Sequence, residues 1–263
     1  MDLQLKGKVA IVCAASRGLG KGAALALAQE GVNLVICARN QETLMVTAED
    51  IQQKTGVCVY PVVCDLNDKS SSDKLINTAI ENFQRLDILI TNVAHPKTGS
   101  FFSLSEQDWQ LGYDNILLPV VRLCRLAIPY MKENQWGRII HIGSYAIKEP
   151  NMTYLLSAVF RTGIVVLSKA LAEEFGRDGI RVNTVCPGLF HTELGHDILQ
   201  KIAQKQNLSV AEATEKMASY TVTGELGQVN ELAGLIAFLS SDFANHITGQ
   251  MIMVEGGKAR GLF

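Results

Sequence analysis

The chain predicts one α/β domain: a seven-stranded parallel sheet with helices on both faces, three layers in all. Three observations carry that expectation. Short β-branched runs alternate with amphipathic segments from the first residues to about Glu174, the pattern of parallel strands joined by crossover helices. With 263 residues, 48% of them hydrophobic, the chain can bury one substantial core without a disulfide or metal staple. Glycines stand where the first strand hands over to the first helix, at Gly18 and Gly20.

The elements follow in order. An apolar run at 9–13 opens the sheet, and a stretch of high helix propensity at 18–30 follows it. A second strand at 33–37 leads to a helix at 41–54, and a third at 57–63 leads to a helix at 69–83. The strand at 88–91 precedes a long helical pattern at 106–131, where Pro119 and Pro129 predict a kink or an early end. A fifth strand at 138–142 feeds a helix at 153–175, whose aliphatic run Ile164-Val165-Val166-Leu167 suits a buried face. A sixth strand at 181–185, a helix at 230–239 and a last strand at 251–254 complete the pattern. Residues 189–223 break the rhythm. They are polar and helix-prone, which suits either a lid over a pocket or a surface excursion.

Charge and cysteine usage narrow the function. With 24 Lys and Arg against 26 Asp and Glu, the net charge of −2 offers no basic stripe for nucleic acid. The N-terminal residues carry charge where a signal peptide needs an apolar stretch, and no apolar run reaches membrane-spanning length, so a soluble, cytoplasmic protein is expected. The six cysteines show neither CxxC nor metal-ligand spacing, so no metal is expected and the thiols read as reduced core residues.

The turn Cys13-Ala14-Ala15-Ser16-Arg17-Gly18-Leu19-Gly20 has the chemistry of a phosphate site. Glycine lets backbone N–H groups approach a pyrophosphate, and the helix N-terminus adds unpaired donors and a positive dipole end. The G-x-G-x-x-G spacing is not met, because Ala23 stands three residues after Gly20.

With these landmarks the whole chain resembles the short-chain dehydrogenase/reductase family. Its T-G-x-x-x-G-x-G turn aligns with Cys13, Ala14, Gly18 and Gly20. Cys64-Asp65-Leu66 resembles its adenine contact, Thr91-Asn92-Val93-Ala94 its N-N-A-G turn, and Asn115 the asparagine of its central helix. Gly137 through Ser144 resembles the fifth strand with the active-site serine. Cys186-Pro187-Gly188 through Thr192 resembles the turn that holds the nicotinamide amide, and the segments at 247–250 and 254–257 resemble the closing strand. The resemblance implies a Rossmann fold and a nicotinamide cofactor held by Ala14, Ser16, Arg17, Gly18, Leu19, Gly20, Arg39, Asp65, Leu66, Asn92, Ala94, Arg161, Pro187, Gly188 and Thr192. An acid at the end of the second strand would bind both ribose hydroxyls and repel a 2′-phosphate. Here the strand ends Ile36-Cys37-Ala38-Arg39. That favours NADP(H), and Arg17, a position where the family uses a basic residue, is expected to converge on the same phosphate.

The catalytic centre departs from the family's pattern of Asn, Ser and Y-x-x-x-K. Register from Ser144 and from the downstream run at 167–173 puts Ser157 and Arg161 at the tyrosine and lysine positions. A serine hydroxyl is a poor proton donor and a guanidinium stays protonated, so standard catalysis is not expected. Ser157 and Arg161 are i and i+4 on one helical face, and Arg161 is expected to bind ribose hydroxyls or order a water. A subgroup resembling beta-ketoacyl-carrier-protein reductases shows the same L-S-x-x-x-R run, here Leu156 to Arg161. Tyr154 is the preferred substitute acid if the helix starts early enough for it to share the face of Ser157; Tyr145 is weighed as a tyrosine at the cleft mouth. His95, His141 and His191 are expected as polar lining or structural groups, and Ser144 with Asn115 as carbonyl donor and helix-positioning residue.

The expected activity is NADPH-dependent reduction of a ketone or 3-oxoacyl-like carbonyl. The alternatives are an NADP-binding protein with little turnover, or a non-redox isomerase or dehydratase. The partners implied are a small-molecule substrate and further copies of the chain, as a homotetramer or homodimer, with no nucleic acid or membrane.

Overall fold

The computed structural model describes residues 2–150 and 152–261. Seven strands form one sheet: β1 (Val9–Val12), β2 (Asn33–Ala38), β3 (Val59–Val63), β4 (Ile88–Thr91), β5 (Gly137–Ile142), β6 (Ile180–Pro187) and β7 (Met251–Val254). All pairings are parallel, in the order β3-β2-β1-β4-β5-β6-β7. The order reverses between β1 and β4, which opens a crevice beyond the C-terminal ends of those strands, the place where such sheets bind ligands.

The layers follow from side-chain alternation. Along β1, Ala10 and Val12 point to one face, which is covered by helices α1 (Gly18–Gln29), α2 (Gln41–Thr55) and, further along, α9 (Val229–Leu239); Leu27, Leu44 and Ile236 are fully buried there. Val9, Ile11 and Cys13 point to the other face, covered by α3 (Lys69–Phe83), α5 (Leu118–Glu133) and α6 (Leu155–Phe175). Caps fix the helix ends: the Asn40 and Asp68 side chains accept from the N–H groups of Thr43 and Ser70, and Gly56 at φ 75° stops α2. Between β6 and α9 lie α7 (Glu193–Gln206) and α8 (Val210–Ala218).

Four expectations need correction. The long helix does not break at its prolines. α4 (Glu106–Gly112) passes through a π-turn, Tyr113–Leu117, into α5, and Asn115 lies inside that turn. Pro119 sits in the first turn of α5, where no N–H is needed, and α5 carries Pro129 through to Glu133. Helix α6 starts at Leu155, with Tyr154 capping it at φ −109°, so Tyr154 does not extend the helical face of Ser157. Contrary to the composition reading, α6 is by length and apolarity sufficient to cross a membrane; here it is a packed helix that buries Leu156, Ala158, Arg161, Ile164 and Ser168. Cys58 is exposed and Cys64 half-buried; the other four thiols are buried and all six are free.

The N-terminal rim of the sheet is tied by charge. Buried Asp87 accepts from the Val9 N–H at 2.8 Å and from Arg85 at 2.7 and 2.8 Å. Asp242 accepts from the Trp136 indole at 2.7 Å and from Arg138 at 2.8 Å, while Lys8 and Arg138 rest 3.8 and 4.2 Å from the Trp136 ring centre.

Candidate active site

The glycine turn has a geometry that its sequence makes costly. Ala14 holds φ +49°, a left-handed conformation that a side chain disfavours, and Gly18 holds φ +56°. A Cβ on Gly20 would lie 2.2 Å from the Ala14 carbonyl, so only glycine lets the turn close. Arg17 is the N-cap of α1, and its side chain makes no capping bond, so the first N–H groups of that helix are left for an anion. This donor set and the absence of an acid at the end of β2 fit a dinucleotide pyrophosphate with a 2′-phosphate. Replacing Ala14 with glycine is expected to raise stability by about 1 kcal/mol, seen as a Tm increase of roughly 2–4 °C; an unchanged or lower Tm would contradict a strained turn.

Of the two arginines expected on one phosphate, one is paired with a carboxylate. Arg39 is exposed just past β2, whereas Arg17 Nη1 donates to Glu193 Oε2 at 2.6 Å, at the start of α7. The reason is local: Thr192 packs about 3.7 Å from the Cβ position of Gly18 and caps α7 through Gly195 N–H, which brings the neighbouring carboxylate over the turn. A cleft of about 620 Å³ is lined by Arg17, Phe190, Thr192 and Glu193.

The other nucleotide candidates gather on the same rim. Ser16 and Leu19 are half-buried in the turn, and the Ser16 carbonyl accepts from Thr47. Asp65 is exposed in the turn after β3, accepting from Asn67 N–H at 3.1 Å, with Leu66 half-buried beside it. Asn92 and Ala94 follow β4. Pro187 ends β6, and Gly188 N–H donates to the Val254 carbonyl, with no room for a side chain against Glu255.

Ser144 stands just beyond β5, where its Oγ accepts from Ala146 N–H at 3.2 Å, leaving the hydroxyl proton free to donate. Ser157 and Arg161 are both buried, at 3% and 2% exposure. Arg161 Nη1 donates to the Ile142 and Gly143 carbonyls at 2.7 and 3.3 Å, and Nη2 to those of Val93 and Ala94, each at 3.4 Å. Arg161, expected to bind ribose or order a water, thus has both terminal nitrogens on backbone carbonyls. A buried guanidinium must find acceptors, and the C-terminal carbonyls around β4 and β5 supply them for both terminal nitrogens, while Nε has no partner among the described residues. Burial lowers its pKa to about 10, so it remains charged at neutral pH.

Two phenols lie near Ser144. Tyr154, half-buried, is held next to the loop before α4 by the Gly99 N–H bond to the Thr153 carbonyl. Burial first, and Tyr145 second, push its phenol above the usual tyrosine value, so it stays protonated at neutral pH. The ammonium of Lys258 lies 4.4 Å from the Tyr145 ring centre, a contact over 113 residues of sequence that no motif announced. His141 is buried in β5 with Nδ1 2.7 Å from Thr91 Oγ1 and Nε2 without a partner, while His95 and His191 are exposed.

Comparison with known proteins gives a consistent result. A family model described as "Enoyl-(Acyl carrier protein) reductase" matches residues 13–259. The chain is 33% identical, over 97% of its length and 98% of the relative's, to the "(2S)-[(R)-hydroxy(phenyl)methyl]succinyl-CoA dehydrogenase subunit BbsD" of Thauera aromatica. It is 29% identical, over 97% of its length and 99% of the relative's, to the "NADPH-dependent reductase BacG" of Bacillus subtilis. Among solved structures it resembles the L-sorbose reductase of Gluconobacter frateurii complexed with NADPH and L-sorbose, with TM-score 0.95, 27% identity and 100% of both chains covered.

Proposed function

The chain belongs to the short-chain dehydrogenase/reductase family of oxidoreductases, and from that premise we propose that it is an NADPH-dependent reductase of a small carbonyl compound with an unusual proton donor. The observation that carries the reading is the uncapped N-terminus of α1 above a closed glycine turn, with an arginine rather than an acid after β2.

When bound, NADPH supplies the hydride. Backbone N–H groups of residues 14–20 would hold its pyrophosphate and Arg39 its 2′-phosphate, with Arg17 available to the same phosphate on leaving Glu193. Asp65 and Leu66 would line the adenine, Asn92 and Ala94 the ribose side, and Pro187, Gly188 and Thr192 the nicotinamide amide. Ser144 donates a hydrogen bond to the substrate carbonyl oxygen, and the π-turn at Asn115 sets the helix beneath it. Tyr154 delivers the proton, its protonated state favouring reduction at neutral pH. Residues 189–223, with α7 and α8, form a lid of the one domain, and the exposed Val159 and Val166 of α6 suit a two-fold contact in a homodimer or homotetramer.

A second reading has one observation in its favour: the terminal nitrogens of Arg161, at the family's lysine position, are committed to carbonyls, which suits an NADP-binding protein with little turnover. Non-redox isomerisation or dehydration is the remaining alternative. Saturating NADPH is expected to raise Tm by roughly 5–10 °C, and NADH by clearly less. An NADPH-oxidation screen over diketones, ketoacyl thioesters, quinones and enones then separates the readings: Tyr154→Phe should cut turnover by about 10²-fold or more. Tight NADPH binding with no turnover favours the second reading, and a larger shift with NADH overturns the cofactor assignment.

A further inference from the structure

The C-terminal segment contributes a cation that the activity as described does not use. After β7 the chain crosses the substrate side of the sheet and is fastened at three places. The Gly256 carbonyl accepts from Val222 N–H at 2.6 Å and Thr223 N–H at 3.2 Å, at the end of the lid segment. Glu255 Oε2 accepts from Ala259 N–H at 3.0 Å, and Glu149 Oε1, in the loop that follows Ser144, accepts from Arg260 N–H at 2.8 Å. Between these anchors Lys258 is half-buried, its ammonium 4.4 Å from the Tyr145 ring centre.

Glu149 and Glu255, which anchor the tail, are each engaged by main-chain N–H groups, and Lys258 makes no ion pair with a carboxylate among the described residues. A half-buried ammonium that has no ion pair among the described residues, and that rests on the ring of Tyr145, the residue next to the serine assigned to the carbonyl, is suited to an anion. Exposed apolar groups stand on the tail's neighbour and on the loop before α4. The Gly99 to Thr153 bond sets the loop carrying the exposed, edge-on Phe101 and Phe102 beside the segment of Met152 and Tyr154, and exposed Val222 adjoins the tail at Gly257.

We propose that Lys258 is the anion-recognition residue of the substrate site, and that the ligand class is an apolar or aromatic body bearing a carboxylate. For the reductase this means an oxo acid in preference to a neutral ketone. The inference rests on the reading that Ser144 marks the substrate side, and its test does not depend on turnover.

Calorimetric titration with 3-phenylpropionate and with 3-phenylpropionamide, on the free and the NADPH-saturated protein, compares one body with and without the charge. The acid is expected to bind about tenfold or more tighter than the amide. Lys258→Met should collapse the ratio to near one, and Lys258→Arg should retain most of it. Equal binding of acid and amide, binding of neither, or a preference that survives Lys258→Met overturns the proposal. A protein that takes the acid through Lys258 but never NADPH would sink the reductase reading and leave this site standing.

Discussion

Replacing Arg161 with alanine is expected to destabilise the protein by about 3–5 kcal/mol, a Tm loss of roughly 6–20 °C, because carbonyls from two strand ends lose their buried donor and the side chain leaves a void. Arg161→Lys should recover part of the loss, since an ammonium supplies charge and three donors but not the fork that spans both strand ends. The effect is one of stability. If Arg161→Ala keeps its Tm and loses only NADPH affinity, the guanidinium faces the cofactor after all.

Acid sensitivity is the second large effect. His141 is fully buried, and burial lowers its pKa to about 3, against about 6.5 for an unperturbed imidazole. Between those values the unfolded chain binds a proton that the folded one refuses, so stability rises with pH across this window. The contribution is complete above about pH 6.5 and falls away toward pH 3, with a limiting slope of about 1.4 kcal/mol per pH unit and a total on the order of 5 kcal/mol. Denaturant melts at pH 7.5, 6, 5 and 4 should show His141→Gln losing distinctly less stability than the wild type. Parallel curves would mean that the imidazole is not held neutral.

Much of the fold could be read from the chain because parallel strands and their crossover helices write themselves as local periodicity. All seven strands fall within a few residues of their expected places, and the glycine turn sits where β1 meets α1. The π-turn at Asn115 was not legible, since it is one extra residue in a backbone ladder and leaves no composition signal, whereas the prolines nearby drew attention to the wrong place. The site was legible as a rim and much less as a set of contacts. Helical spacing assigns a face to Arg161 but not a depth. Arg17 and Glu193 lie 176 residues apart, and Lys258 reaches Tyr145 from the far end of the chain. Such pairings exist only once the sheet order has brought the ends of β1, β5, β6 and β7 together.

The charged ties around Asp87, Trp136 and Asp242 divide labour between the two edges of the molecule. One edge is a foundation, in which backbone, carboxylate, indole and guanidinium are mutually committed and a change at any member disturbs several others. The opposite edge is a workbench, where loops can be lengthened or recoloured with little cost to the frame beneath. New specificities in this scaffold are therefore best sought by diversifying the loop at 95–100 and the segment at 219–223 that follows α8, leaving Asp87, Trp136, Arg138 and Asp242 untouched.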